Sequence, residues 1–191
     1  MKKIFFGLIA TMLLSITGSA QDINNLNKDL DFISYVNDDA NFIKNYNIEI
    51  LKNINIDNFN NGKEWSLFYN AFSTNEKDYT DFVKRQDIKL KKVNEIYNFK
   101  SYNKEELQKI LELEISEILN LNVGVESKKD CKRVYQNDLL QNAAVATGAH
   151  IACLTADITF FLGIVCHGAV AVGHAAANDN ATIRYNECLG N

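Results

Sequence analysis

Four cysteines and three histidines are the residues of this 191-residue chain whose types and spacing carry the most chemistry. Cys131 and Cys153 lie 22 residues apart, and so do Cys166 and Cys188. On a helix, 22 steps of about 100° bring a side chain back to within about 40° of the same face, roughly 33 Å further along. The outer pair (Cys131, Cys188) and the inner pair (Cys153, Cys166) also share one midpoint, between residues 159 and 160. An antiparallel helical hairpin folded there brings both pairs together. A pairing inside one arm is ruled out, because a disulfide needs Cα atoms about 4.4–6.8 Å apart. Crossed pairing, Cys131–Cys166 with Cys153–Cys188, needs a three-helix path broken at Gly148. The spacing favours the nested pattern, Cys131–Cys188 and Cys153–Cys166, and it would set Tyr135 beside Tyr185 near the open end.

The histidines are His150, His167 and His174, and His167 and His174 share a helical face. With Asp157 or His150 they offer metal-ligand chemistry, or a proton-responsive element near pH 6.5. No HExxH or CxxC accompanies them, so packed or exposed helix residues are the simpler expectation, with no metal and no cofactor. Glu112, Glu114 and Glu117 are expected on a solvated helix face. Lys128, Lys129, Lys132 and Arg133 are expected to form a polar linker, with a processing site or an anionic-lipid contact as alternatives. No nucleophile elbow, phosphate loop or dinucleotide fingerprint is present, so no catalytic residue is nominated and nothing argues for an enzyme. No small-molecule substrate is identifiable.

These residues must be positioned by helices, and the expected fold is mainly α: an N-terminal amphipathic helical bundle, then a disulfide-stapled antiparallel hairpin rich in Ala and Gly. The front helices are expected from Leu26, Leu30, Ile33 and Val36, and from Ile43, Tyr46, Ile50 and Ile54, the second also fitting strand alternation. After a turn at Asn61-Gly62, Trp65, Phe68, Tyr69 and Phe72 make one aromatic face. A longer helix over 74–99 turns Tyr79, Phe82, Val83, Leu90, Val93 and Tyr97 inward. Asn103 with Glu106 resembles a capping box ahead of Leu107, Ile110, Leu111, Ile115, Ile118 and Leu119. In the hairpin, Ala146 and Ala149 on one arm and Ala169, Gly173 and Ala176 on the other are small enough for the close approach that interhelical cystines require. The bend is expected within 155–163, with Phe160 and Phe161 near its tip.

Composition divides the chain the same way. Residues 1–20 have two lysines, an apolar run and small residues at Gly18 and Ala20, the layout of a signal peptide cleaved after Ala20. Export to the periplasm or the medium of a bacterium follows, and an oxidising compartment makes four cysteines two disulfides. Residues 21–125 form the polar and aromatic helical region and residues 126–191 the apolar stapled region. From Leu139 to Asn178 the only formal charge is Asp157. The net charge of −4 argues against general nucleic-acid binding, which needs a basic footprint. Two readings follow. In the first, a non-enzymatic exported protein presents the hairpin, led by Phe160 and Phe161, to a membrane surface or a protein partner. The order of leader, polar front and cysteine-bearing apolar end is similar to that of secreted precursors of membrane-active peptides, bacteriocins among them. In the second, the hairpin packs as core against the front helices of a soluble structural or binding protein. Membrane transfer is near balance for residues 158–177, since about 2.4–4.8 kcal/mol from eight large apolar residues is opposed by three glycines and two histidines.

Overall fold

The computed structural model describes residues 22–55, 58–59, 62–120, 130–155 and 160–190; nothing is said of the side chains of residues 154, 155 and 160–162. The described chain is mainly helical. A 3-10 turn over Ile23–Lys28 precedes α1 (Leu30–Ile43), α2 (Ile48–Leu51), α3 (Gly62–Ala71) and α4 (Glu76–Tyr97). A second 3-10 turn, Phe99–Ser101, leads to α5 (Lys104–Ile118), and then come α6 (Cys131–Thr155) and α7 (Phe160–Leu189). The expected leader (1–20), Asn61, the boundary near Val125, Lys128, Lys129 and Asp157 lie outside the described residues.

Short polar side chains set the helix starts. Asp29 accepts from Phe32 N at 2.9 Å, Asn75 from Asp78 N at 2.9 Å and Asn103 from Glu106 N at 2.9 Å, each satisfying a backbone donor that the first turn leaves orphaned. The cap at Asp29 corrects the expected first stripe. Leu26 falls in the 3-10 turn and Leu30 is 82% exposed, whereas α1 buries Phe32, Tyr35, Val36, Asp39 and Ile43. A break just before Leu30 resets the helical phase, so Leu30 turns outward although Leu26 and Val36 of the same expected stripe are buried. The stretch around Ile50, which fitted two periods, is neither a long helix nor a strand: α2 has four residues, started by the Asn47 side chain on Glu49 N and Ile50 N. The long helix α4 ends at Asn98, whose left-handed φ of 49° lets its N–H bond to Asn94 O.

α6 and α7 form the hairpin, joined at both ends. Cys131–Cys188 and Cys153–Cys166 are the disulfides, with Cα separations of 5.7 Å and 5.9 Å. Tyr135 and Tyr185 stack with ring centroids 4.9 Å apart, and Arg184 pairs with Asp138 at 2.9 Å. Asn142 donates to Asn178 at 3.0 Å between the arms. The hairpin completes two apolar cores. In one, Leu140, Ala144 and Ile151 of α6 join Phe32, Tyr35 and Val36 of α1, Leu90 and Val93 of α4 and Leu111 and Ile115 of α5. In the other, Ala171, Val172 and Ala175 of α7 join Ile43, Phe59, Phe68, Phe72, Tyr79 and Val83. The expected aromatic face of α3 sits in this second core, with Trp65–Phe68 at 5.4 Å and Phe68–Phe72 at 4.8 Å.

Among the described glycines the tightest surroundings are at Gly168, not at the glycine the arm–arm seam suggested. A Cβ on Gly168 would come within 2.6 Å of Phe59 Cε1 and 3.0 Å of Trp65 Cη2. A Cβ on Gly173 would meet nothing within 4 Å, and that residue borders a groove of about 310 Å³ between the arms. Smallness on α7 therefore serves contact with the front helices at Gly168.

Candidate functional site: a buried histidine–aspartate cluster

Tracing the hairpin's polar residues inward leads to one place. His150 from α6 and His167 and His174 from α7 are all buried, at 4%, 4% and 8% exposure. The front region meets them with Tyr35 and Asp39 from α1 and Gln86 and Asp87 from α4. Helical spacing explains the convergence: Tyr35 and Asp39 are four apart on α1 and His167 and His174 seven apart on α7, so each pair shares one face.

Tyr35 Oη lies 2.6 Å from His150 Nδ1. Burial first, and then the charge of Asp39, push the Tyr35 hydroxyl well above its ordinary value, so the phenol keeps its proton and donates it to Nδ1. The proton of the neutral imidazole is then on Nε2, a buried atom with no hydrogen-bond partner. Burial pushes His150 down to about 4, against the pull of Asp39 and with repulsion from His167 and His174. His150 and His167 pack with ring centroids 4.6 Å apart.

Asp39 is the charged centre. Its Oδ1 is 3.8 Å from His150 Nδ1 and its Oδ2 is 3.6 Å from His174 Nδ1, both beyond hydrogen-bond length. Burial alone would raise this carboxyl. The contact with His174 and the fields of His150, His174 and His167 outweigh it and hold Asp39 below its ordinary value. His167 Nε2 approaches Asp87 Oδ1 to 2.9 Å, although the angle is too poor for a hydrogen bond. Gln86 Nε2 donates to Tyr35 O at 3.1 Å, tying α4 to α1 beneath the cluster.

Such a site can bind or release protons and hold helices in register. The described residues contain no group of three or more His, Cys, Asp or Glu side chains arranged to hold a metal ion. The expected partner of the histidines, Asp157, lies outside the described residues, and the carboxylates that reach them are Asp39 and Asp87. Sequence reasoning missed both, although an aspartate on the inward face of α1, four residues after Tyr35 and four before Ile43, was the available signal.

The other nominated residues fall elsewhere. The four cysteines form the nested disulfides. Phe160 and Phe161 begin α7, and their side chains are outside the description. Lys132 is exposed and Arg133 half-buried at the start of α6. Glu114 corrects the expected solvated face: it is 2% exposed and accepts from Asn27 N at 2.8 Å, while the neighbouring Glu117 accepts from the Asn27 side chain. Burial raises the Glu114 carboxyl, with Glu117 and Asp22 adding to it against the bond from Asn27.

Comparisons with protein-family models, with curated proteins and with solved structures find no match for this chain. The two disulfides are consistent with an oxidising environment.

Proposed function

We propose that this chain is an exported, non-enzymatic bacterial protein of the periplasm or the medium, a compact helical scaffold in which the stapled hairpin serves as core for the front helices. A leader over residues 1–20, removed after Ala20, would deliver it there. The observation that carries this reading is the occupation of the hairpin's inner face: Phe59 and Trp65 against Gly168, Tyr35 on His150 and Asp87 on His167. A hairpin free to dock into lipid would have to shed all of these contacts. In addition, no described helix is long and apolar enough to cross a membrane.

The test is binding to vesicles of mixed neutral and anionic phospholipid, with encapsulated dye. At neutral pH the disulfide-bonded protein should neither co-sediment with the vesicles nor release dye, and its hairpin amides should exchange as slowly as those of α4. Dye release with intact helix content would overturn the scaffold reading in favour of membrane association. Intact mass should show a chain beginning at Gln21; a species retaining Met1 would remove the export step.

A further inference from the structure

Between α5 and the C-terminal half of α6 lies a cleft of about 550 Å³, remote in role from the histidine cluster. Its size is that of pockets that enclose small ligands, about 300–1,000 Å³. The floor is apolar: Phe99, Leu107 and Leu111 on one side, Ala144, Gly148 and Ala149 on the other. The space exists because small residues, Ala144, Gly148, Ala149 and Ala152, supply most of the α6 lining beside Val145 and Ile151; a Cβ on Gly148 would already reach van der Waals contact with Leu111 Cδ1, at 3.8 Å. Two cations stand at this apolar floor, Lys100 from the 3-10 turn and Lys104 from the first turn of α5. Both are exposed, and neither forms an ion pair among the described residues. Among the described residues no acidic side chain lines the cleft: Lys104, Leu107, Gln108 and Leu111 share one face of α5 and Glu105 and Glu106 lie off it. In a chain of net charge −4, paired unneutralised lysines above an apolar trough are a local reversal of sign.

We propose that this cleft binds the carboxylate form of a single-chain amphiphile, a fatty-acid-like anion. The acyl chain lies along Leu107, Val145, Gly148 and Ala149, over the buried Leu111 and Ala144, and the carboxylate sits between the Lys100 and Lys104 ammonium groups. The N-terminal end of α5 adds its partial positive charge on the same side. Burial of the chain supplies affinity and the two lysines supply the preference for an anion. This assignment goes beyond the scaffold reading and rests on it, since the cleft forms only where α6 packs on α5; absence of binding by a protein whose hairpin amides remain protected would overturn the assignment alone.

Calorimetric titration of the disulfide-bonded protein with dodecanoate, below its micellar concentration and near neutral pH, should show one saturable site. Dodecyltrimethylammonium, with the same tail and the opposite charge, should bind more weakly by roughly tenfold or more, a difference of about 1.4 kcal/mol. The surface double variant Lys100→Glu/Lys104→Glu should weaken dodecanoate by a similar factor without lowering helix content. Ala149→Leu, which fills the floor, should abolish binding; should that variant fold poorly, the lysine pair decides the matter. The proposal is overturned by the absence of a saturable site for dodecanoate, by equal binding of the cationic amphiphile, or by wild-type affinity in the double lysine variant.

Discussion

At the scale of single residues, the decisive feature is a buried carboxylate among three imidazoles. A buried charge is tolerated when partners surround it and becomes costly when one is removed. Asp39→Ala removes that carboxylate from the buried imidazoles facing it and should destabilise the protein by about 1–3 kcal/mol, measured by urea unfolding near neutral pH. A change under about 1 kcal/mol would mean that the carboxylate is solvated. Tyr35→Phe tests the hydrogen bond at 2.6 Å more narrowly. It keeps the ring against Phe32 and leaves His150 Nδ1 buried without a donor, at a cost of about 1–3 kcal/mol. The histidines were legible in the sequence as residues that share a face, but their partners were not. Asp39 and Asp87 lie more than 60 residues away along the chain, and periodicity within one helix carries no information about which polar residue faces it from another. Glu114 was misjudged for a related reason. Its burial comes from Asn27 in the N-terminal 3-10 turn, which folds over α5 to present a backbone N–H.

At the scale of elements, α7 carries two glycines five residues apart with opposite roles. Gly168→Ala places a methyl within 2.6 Å of the Phe59 ring, so the ring or the helix must shift, at about 1–3 kcal/mol. Gly173→Ala adds a methyl in open space and removes a flexible residue from a helix interior, which stabilises by up to about 1 kcal/mol. Urea midpoints of the two variants should move in opposite directions; a shift of Gly168→Ala toward higher urea would refute the packing of α7 on Phe59 and Trp65. The hairpin itself was legible because two covalent constraints and one helical period had to agree, and the nested connectivity satisfied both without the break at Gly148 that crossed pairing requires. The front helices were legible where a cap and a stripe coincided, as at Asn103 before α5, and where a stripe ran unbroken, as in α4. Legibility failed where a cap interrupted a stripe, at Asp29, and where isoleucines fitted two periods, around α2. In both places local hydrogen bonding from Asp or Asn overrode the apolar pattern.

At the scale of the whole molecule, the histidine cluster joins α1, α4, α6 and α7, so its protonation acts on the packing of the hairpin against the front helices. The groups facing His150 are Tyr35 and Asp39 from α1 and His167 and His174 from α7, with Asp87 of α4 beyond them against His167. In the fold, burial holds His150 at about 4, against an ordinary value of 6.5. As pH falls the unfolded chain takes up this proton first. The contribution is therefore complete above pH 6.5 and is lost progressively on the way down to about 4. At about 1.36 kcal/mol per pH unit, the gap corresponds to a loss on the order of 3 kcal/mol. Asp39, held below its ordinary value of 3.8, extends the loss to still lower pH. Glu114 has the opposite sign. Its raised carboxyl contributes stability below its ordinary value of 4.5 that disappears as pH rises through its folded value, so it offsets part of the fall near that pH. His150→Gln removes the ionisation while Oε1 can still accept from Tyr35. Unfolding free energies measured from pH 7 down to 4 should fall steeply for the wild type and by about 3 kcal/mol less for the variant. Parallel curves would remove His150 as the source of the acid sensitivity. Trp65 fluorescence and helix content should change together along the same series, because Trp65 lies on Gly168, next to His167 on α7. Two separated transitions would show that the hairpin and the front helices unfold as independent units, and the scaffold reading would fall with that result.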